Sequence, residues 1–233
     1  MKFRIESEIF EKFPGLNIGI VVAKQIDNRG KSDELMYLIR EKEKEILAEY
    51  DNETLSQCSR IESWRKAYSS FGAKPKKHKS SVESLYRMIL SGNNLRHINK
   101  IVDIYNYVSI KYMIPVGGDD LSKVDGHIRL KFARGSELFI PLNSQEEQSA
   151  RPGEVIYRDD KEVLCRRWNW RECEKTKMTE TTEDVVLVSE GLPPFTQWEI
   201  LEIVEDLSGM VKKYCGGETR TAVLDQKKGE FEV

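Results

Sequence analysis

No apolar run in the 233 residues approaches the roughly 18 that a membrane-spanning helix needs. The N-terminal stretch, MKFRIESEIFEKF, is charged throughout and lacks an apolar signal region. A cytoplasmic location with no membrane partner is therefore expected. Cysteine is scarce: Cys58, Cys165, Cys173 and Cys215 form no CxxC pair and read as reduced structural thiols. The three histidines, His78, His97 and His127, sit in unrelated contexts. Zinc-site spacing is absent, and a Ser-His-Asp triad has little to build on. Neither GxxxxGK[ST] nor GxGxxG is present, so no nucleotide loop is expected; GxSxG and HExxH are missing too. No cofactor and no metal is implied. An enzyme made from this chain would work by positioning a substrate and a water, without a covalent nucleophile.

What the chain has in quantity is charge. Charged residues make up 33% and hydrophobic residues 39%, the balance of a polar globular protein. The net charge of −2 hides an uneven distribution. Between Arg60 and Lys100 there are ten Lys or Arg against two acids, Glu62 and Glu83, giving +8 there and −10 elsewhere. Concentrated positive charge attracts polyanions and gives salt-dependent affinity for phosphates. Its sharpest part is Lys74-Pro75-Lys76-Lys77-His78-Lys79, a basic loop between two expected helices. Lys74, Lys76, Lys77 and Lys79, with Arg87 beyond them, are the RNA-binding candidates; the competing reading is a solvated face.

The periodicity changes midway. Ile18–Ala23 is apolar enough for a strand buried on both faces. Ser32 then precedes a helix to about Tyr50, and a second runs from Glu53 to Phe71, stopping at Gly72. Ser80-Ser81-Val82-Glu83 offers a capping box for a third, and a fourth follows from Asn99. After that, His127–Ala133, Glu137–Leu142, Glu154–Asp159, Val163–Trp168 and Asp184–Ser189 read as strands. Thr196-Gln197-Trp198-Glu199 opens a closing helix that ends near Gly216-Gly217. The expected fold is α+β: N-terminal helices on a mixed, largely antiparallel sheet, closed by a C-terminal helix. One domain spans residues 1–217, and residues 218–233 form a polar, flexible tail.

Two segments carry candidate chemistry. In NKIVDIYNYVSIKYMIPVGGDD, residues Asn99, Asp103 and Asn106 share one helix face. The glycine turn Pro115–Asp120 brings bare backbone and two carboxylates to the helix end. Such a face can wall a small polar pocket or can simply be solvated. Asp119 and Asp120 are adjacent, so their side chains diverge, which disfavours a metal site. The second segment, Arg166-Arg167-Trp168-Asn169-Trp170-Arg171, pairs stacking surfaces with phosphate- or carboxylate-binding groups. Its alternative is a strand end with Trp in the core and Arg outside.

The order SSVESLYRMILSG, LRHINKIVDIYNYVSIKYMIPVGGDD, PGEVIYRDDKEVLCRRWNWRE and TKMTETTEDVVLVSEG resembles the free-standing B-three/B-four domain proteins. These are similar to the editing module in the β subunit of bacterial phenylalanyl-tRNA synthetase, and the resemblance spans about Arg60 to Gly191. That module hydrolyses tyrosine wrongly attached to the phenylalanine tRNA. Its pocket is lined by an N-x-x-x-D-x-T-N helix, a P-x-H-A-F-D turn and a glutamate closing a strand. Asn99, Asp103 and Asn106 match the helix, with Tyr105 replacing the threonine. Pro115 and Asp120 match the turn, with Gly117 where the histidine would stand, and Glu190 fits the strand-end glutamate. The resemblance implies Asn106 and Glu190 as catalytic groups. It implies Asn99, Asp103, Tyr105, Gly117, Gly118 and Asp120 as substrate-binding groups, which Arg167, Asn169 and Arg171 join from the aromatic-basic segment. It implies a trans-editing hydrolase for mischarged aminoacyl-tRNA, with tRNA or aminoacyl-tRNA as partner. The alternatives are a non-catalytic RNA-binding module or a sensor of a free amino acid.

Overall fold

Asn17–Lys24 (β2) and Val185–Gly191 (β10) are apolar on both faces, and a strand of that kind needs cover on both sides. In the computed structural model, which describes residues 1–233, they pair antiparallel at the centre of a four-stranded sheet. Val116–Asp120 (β3) flanks β10, and Glu218–Leu224 (β11) flanks β2, both antiparallel. Gln197–Cys215 (α6) lies across one face of this sheet, and Lys100–Tyr112 (α5) packs against both α6 and β3. Asp33–Glu49 (α2) and Ser81–Leu90 (α4) back α5, while Ser59–Ser70 (α3) precedes α4.

The second sheet has six strands. Glu230–Glu232 (β12), Lys2–Ile5 (β1), Ile128–Phe132 (β4), Val155–Arg158 (β7), Val163–Arg166 (β8) and Arg171–Glu172 (β9) follow in that spatial order. Only the β1–β4 pair is parallel. Phe3, Ile5, Ile128 and Leu130 are buried, while their chain neighbours Lys2, Arg4 and Arg129 lie on the opposite, more open side. A ribbon of Leu138–Phe139 (β5) with Gln148–Ser149 (β6) and a short helix Ser7–Lys12 (α1) complete the chain. The expected mixed, largely antiparallel α+β arrangement is present, with its strands divided between two main sheets.

Capping follows local chemistry. Ser32 Oγ accepts from Leu35 N–H at 3.2 Å, and Thr196 with Glu199 forms a complete capping box. Ser80 Oγ accepts from Glu83 N–H, but the Glu83 carboxylate turns to Arg65 and Arg87 and leaves the reciprocal half unmade.

Three expectations are corrected. Residues 218–233 are no tail: β11 pairs with β2 along seven residues and β12 pairs with β1. Edge strands keep polar side chains toward water, which gives them a tail-like composition. The second helix starts at Ser59, not Glu53. Asp51 Oδ1 accepts from the Glu53 and Thr54 N–H groups, a 3-10 turn covers Leu55–Gln57, and extended Cys58 separates it from α3. Pro115–Asp120 contains a strand in place of a turn. Gly118 sits opposite Leu187, and a side chain there would run into the Val186 carbonyl. The glycine permits close strand approach, not a reversal.

Candidate functional site

In β3 and β10, alternate residues face the six-stranded sheet. Gly117 and Asp119 from β3 stand beside Val188 and Glu190 from β10, since Gly117 pairs with Val188. Phe3, Tyr157, Cys165 and Glu172 answer from the six-stranded sheet, and between them lies a cavity of about 220 Å³. Its rim is formed by Leu142, Ser81, Trp170 and Arg171.

The β8–β9 connection shapes one wall. Arg167 and Trp168 have φ of 48° and 69°, consecutive non-glycine residues in the left-handed region. Each such residue costs of order 1–3 kcal/mol, which persists only where surrounding contacts hold it. Here Trp168 is fully buried against Phe13 and Trp64, with ring centroids at 4.7 and 4.9 Å, and its backbone N–H donates to the Val155 carbonyl. The excursion leaves Trp168 in the core and turns Asn169 into the cavity.

Glu190 anchors the deep end at 2% exposure. Tyr157 Oη donates to its Oε1 at 2.6 Å and Asn169 Nδ2 to its Oε2 at 2.6 Å. Asn169 Oδ1 in turn accepts from Tyr68 Oη at 2.8 Å and from Ser81 N–H at 3.3 Å. This chain fixes the amide orientation, because Oδ1 receives two donors while Nδ2 meets a carboxylate. Burial pushes the Glu190 carboxyl up to about 7 against the pull of the Tyr157 and Asn169 donors and of the nearby Trp168 indole. At the other end, burial raises Asp119 to about 6, opposed by the Thr176 hydroxyl that donates to it. Burial and the neighbouring Asp119 charge raise Glu172 to about 7. The Cys165 thiol is driven well above its ordinary value by burial and nearby acids, which removes it as a nucleophile.

Of the residues singled out in the sequence, Gly117, Gly118, Asn169, Arg171 and Glu190 line this cavity. The structure separates the others from it. Asn99 caps α5, accepting from Val102 N–H and donating to the Met178 carbonyl, each at 3.0 Å. Asp103 accepts from Ile98 N–H and lies 2.5 Å from His97 Nδ1. Both therefore fasten the start of α5. Tyr105 is buried, its hydroxyl pushed up by burial and by the Glu172 charge, and Asn106 is half-buried on the same helix; neither lines the cavity. Asp120 builds the turn after β3, accepting from Ser122 N–H, Ser122 Oγ and Thr182 Oγ1. Arg167 pairs with Glu154 at 3.0 Å and stacks 4.4 Å from the Trp170 ring, supporting the rim from behind.

Lys74, Lys76 and Lys77 are exposed, on a loop whose His78 packs edge-on against Trp170 at 4.5 Å. The basic loop thus borders the cavity rim. Lys79 is half-buried and donates to the Lys76 carbonyl. Arg87 is engaged by Glu83 and the Asn52 carbonyl.

Sequence reasoning missed Tyr157, Tyr68, Trp168 and Glu172 as site groups and took Asp119 only as half of an acid pair. The divergence of Asp119 and Asp120 is correct, and it carries more than expected: strand alternation sends Asp120 into its turn and Asp119 into the cavity. For Glu172 the available signal was an acid following Asn169-Trp170-Arg171 on a short strand.

A family model described as the B3/4 domain matches residues 63–216, a span holding every cavity residue except Phe3. The phenylalanine–tRNA ligase beta subunit of Cereibacter sphaeroides is 31% identical over 156 residues, 56% of this chain and 19% of that protein. That of Chromobacterium violaceum is 35% identical over 79 residues, 34% of this chain and 10% of that protein. The chain accordingly spans 19% or less of the length of these relatives. Among solved structures, an N-terminal fragment of the phenylalanyl-tRNA synthetase beta-subunit from Pyrococcus horikoshii aligns with a TM-score of 0.47 at 15% identity, covering 94% of this chain and 50% of that one. No helix of this chain is long and apolar enough to cross a membrane.

Proposed function

Because this chain belongs to the B3/4 domain family, we propose that it deacylates a mischarged aminoacyl-tRNA in trans. The observation that carries the reading is the buried Glu190, oriented by Tyr157 and Asn169 in a cavity of about 220 Å³. That volume lies below the range of about 300–1,000 Å³ typical for drug-sized ligands, which suits an aminoacyl group. The aromatic and aliphatic lining accommodates a side chain, and the cavity carboxyls supply the polar contacts.

Water attacks the ester carbonyl, the amino acid leaves as the free acid, and the ribose oxygen of the tRNA takes up the proton. A carboxyl held near neutrality is matched to accept a proton from that water at physiological pH. Two donors leave the Glu190 carboxylate with lone pairs to spare. Lys74, Lys76 and Lys77 at the rim hold the RNA backbone.

A panel of mischarged tRNAs is the direct test. The protein should accelerate ester loss from at least one, and Glu190→Ala should slow it by about 100-fold. Asn106→Ala, outside the cavity lining, should have little effect. Indifference to every aminoacyl-tRNA would defeat the hydrolase reading. Salt-dependent tRNA binding without hydrolysis would favour the RNA-binding alternative. Thermal stabilisation by a free amino acid, without tRNA affinity, would favour the sensor.

A further inference from the structure

The acids at one end of the cavity form no ion pair within the protein: Lys175 and Arg171 act on Asp119 and Glu172 only through space. Asp119 accepts one hydrogen bond, from Thr176 Oγ1, and Glu172 receives none from any side chain. The neighbouring cations are committed elsewhere. Lys175 Nζ lies 2.7 Å from Asp125 and 2.6 Å from Asp159, and the Arg171 guanidinium donates to the Leu142 carbonyl at 3.3 Å. Two buried carboxylates elsewhere are matched by cations: Glu83 by Arg65 and Arg87, Glu154 by Arg166 and Arg167.

The backbone explains how two acids came together. Gly117 and Asp119 point to the same side of β3, and a Cβ on Gly117 would lie 3.3 Å from Glu172 Oε1. The bare Gly117 leaves room for the Glu172 carboxylate beside it, on the face of β3 that also carries Asp119. At the deep end there is a second, independent feature. Trp168 is 0% exposed and lines the cavity, and its indole Nε1 has no hydrogen-bond partner. Buried donors of this kind are normally satisfied. Tyr157 and Glu190 lie near it and feel it as a donor, but they are bonded to each other and neither forms a well-directed hydrogen bond with the indole. The cavity therefore offers two carboxylates for a cation at one end and a free N–H for an oxygen at the other.

We infer that the cavity selects a ligand with a protonated primary amine, held between Asp119 and Glu172, and an oxygen that accepts from Trp168 Nε1. For the aminoacyl group of the proposed reaction, on which this inference rests, the amine is the α-ammonium. A free carboxylate on the ligand would be repelled by these acids, so esters and amides are favoured over free amino acids.

Carboxamides of the proteinogenic amino acids, screened by thermal shift and measured by calorimetry, test this. At least one should bind, and its N-acetyl derivative should bind about tenfold more weakly or worse. Glu172→Gln should weaken the free amine by about tenfold while leaving the N-acetyl derivative unchanged. Asp119→Asn, which keeps an acceptor for Thr176, should do the same, with thermal melting confirming that both variants fold. Failure of every amide to bind, equal binding of the N-acetyl form, or stabilisation by magnesium chloride in place of the amine would overturn the inference. Amine-dependent binding without deacylation of any tRNA would sink the proposed hydrolysis and leave this assignment standing. Deacylation with amine-independent binding would do the reverse.

Discussion

Glu154 and Glu190 are buried to similar depth, 4% and 2% exposed, yet they are compensated in opposite ways. Glu154 receives Arg166 Nε at 2.9 Å and Nη2 at 2.8 Å, with Arg167 Nη2 at 3.0 Å. Glu190 meets no cation, only neutral donors, a phenol and an amide with the Trp168 indole close by, and Asp119 and Glu172 share its cavity with less support still. A buried charge with cations in place is a finished structural joint; breaking it leaves the partners stranded. A buried carboxyl held by neutral donors stays poised between protonation states and available to a ligand. The same β7–β8–β9 region supplies both, through arginines that turn behind the wall and an asparagine that turns into it.

The comparison can be broken at four points. Glu154→Gln should lose about 3–5 kcal/mol in denaturant unfolding, because two buried guanidinium groups lose their counter-charge. A loss under about 1 kcal/mol would mean that the joint is not closed. Asn169→Ala should lose about 1–3 kcal/mol, since Tyr68 Oη is left without its acceptor. It should also move the Glu190 titration upward, visible as an alkaline shift in the pH profile of deacylation, because a donor to the carboxylate is gone. An unmoved profile would uncouple Asn169 from Glu190.

Glu172→Gln should have the opposite sign, stabilising the fold by about 1–2 kcal/mol at pH 8, allowing for its open side. Its folded value of about 7 stands above the ordinary 4.5, so the native state holds more protons between those values. Stability from this group is therefore fully present below about pH 4.5, is lost as pH rises, and levels off above about 7. The gain in the glutamine variant should vanish near pH 4.5, and a pH-independent gain would contradict the assignment. Smallest is Gly117→Ala. The new Cβ presses on Glu172 Oε1, an unbonded side chain that can yield, so stability should change by no more than about 0.5–1 kcal/mol. Affinity for the amine should fall as Glu172 is displaced from Asp119, and unchanged affinity would show that Gly117 does not set the acid pair.

Much of the fold is written locally. Double-sided apolar runs mark β2 and β10 as central strands, and Ser32 and Thr196 mark helix starts, because those signals depend on neighbours within a few residues. The edge strands β11 and β12 escaped, since pairing with β2 and β1 across most of the chain leaves no local signature. The helix face of Asn99, Asp103 and Asn106 reads in sequence as a pocket wall or a solvated face, but Asn99 and Asp103 serve capping and a histidine contact, and none of the three lines the cavity. A short polar side chain at a helix start serves either role equally well in sequence.

The sequence by itself determined the α+β class, the family, the strand that ends in Glu190 and the basic loop carrying Lys74–Lys77. Only the tertiary structure decided that Asp119 and Glu172 meet, that Asn169 bridges Tyr68 to Glu190, and that the basic loop borders the cavity through His78 and Trp170. Those contacts join residues dozens of positions apart. Their chemistry comes from burial and proximity, which no residue carries in its own identity.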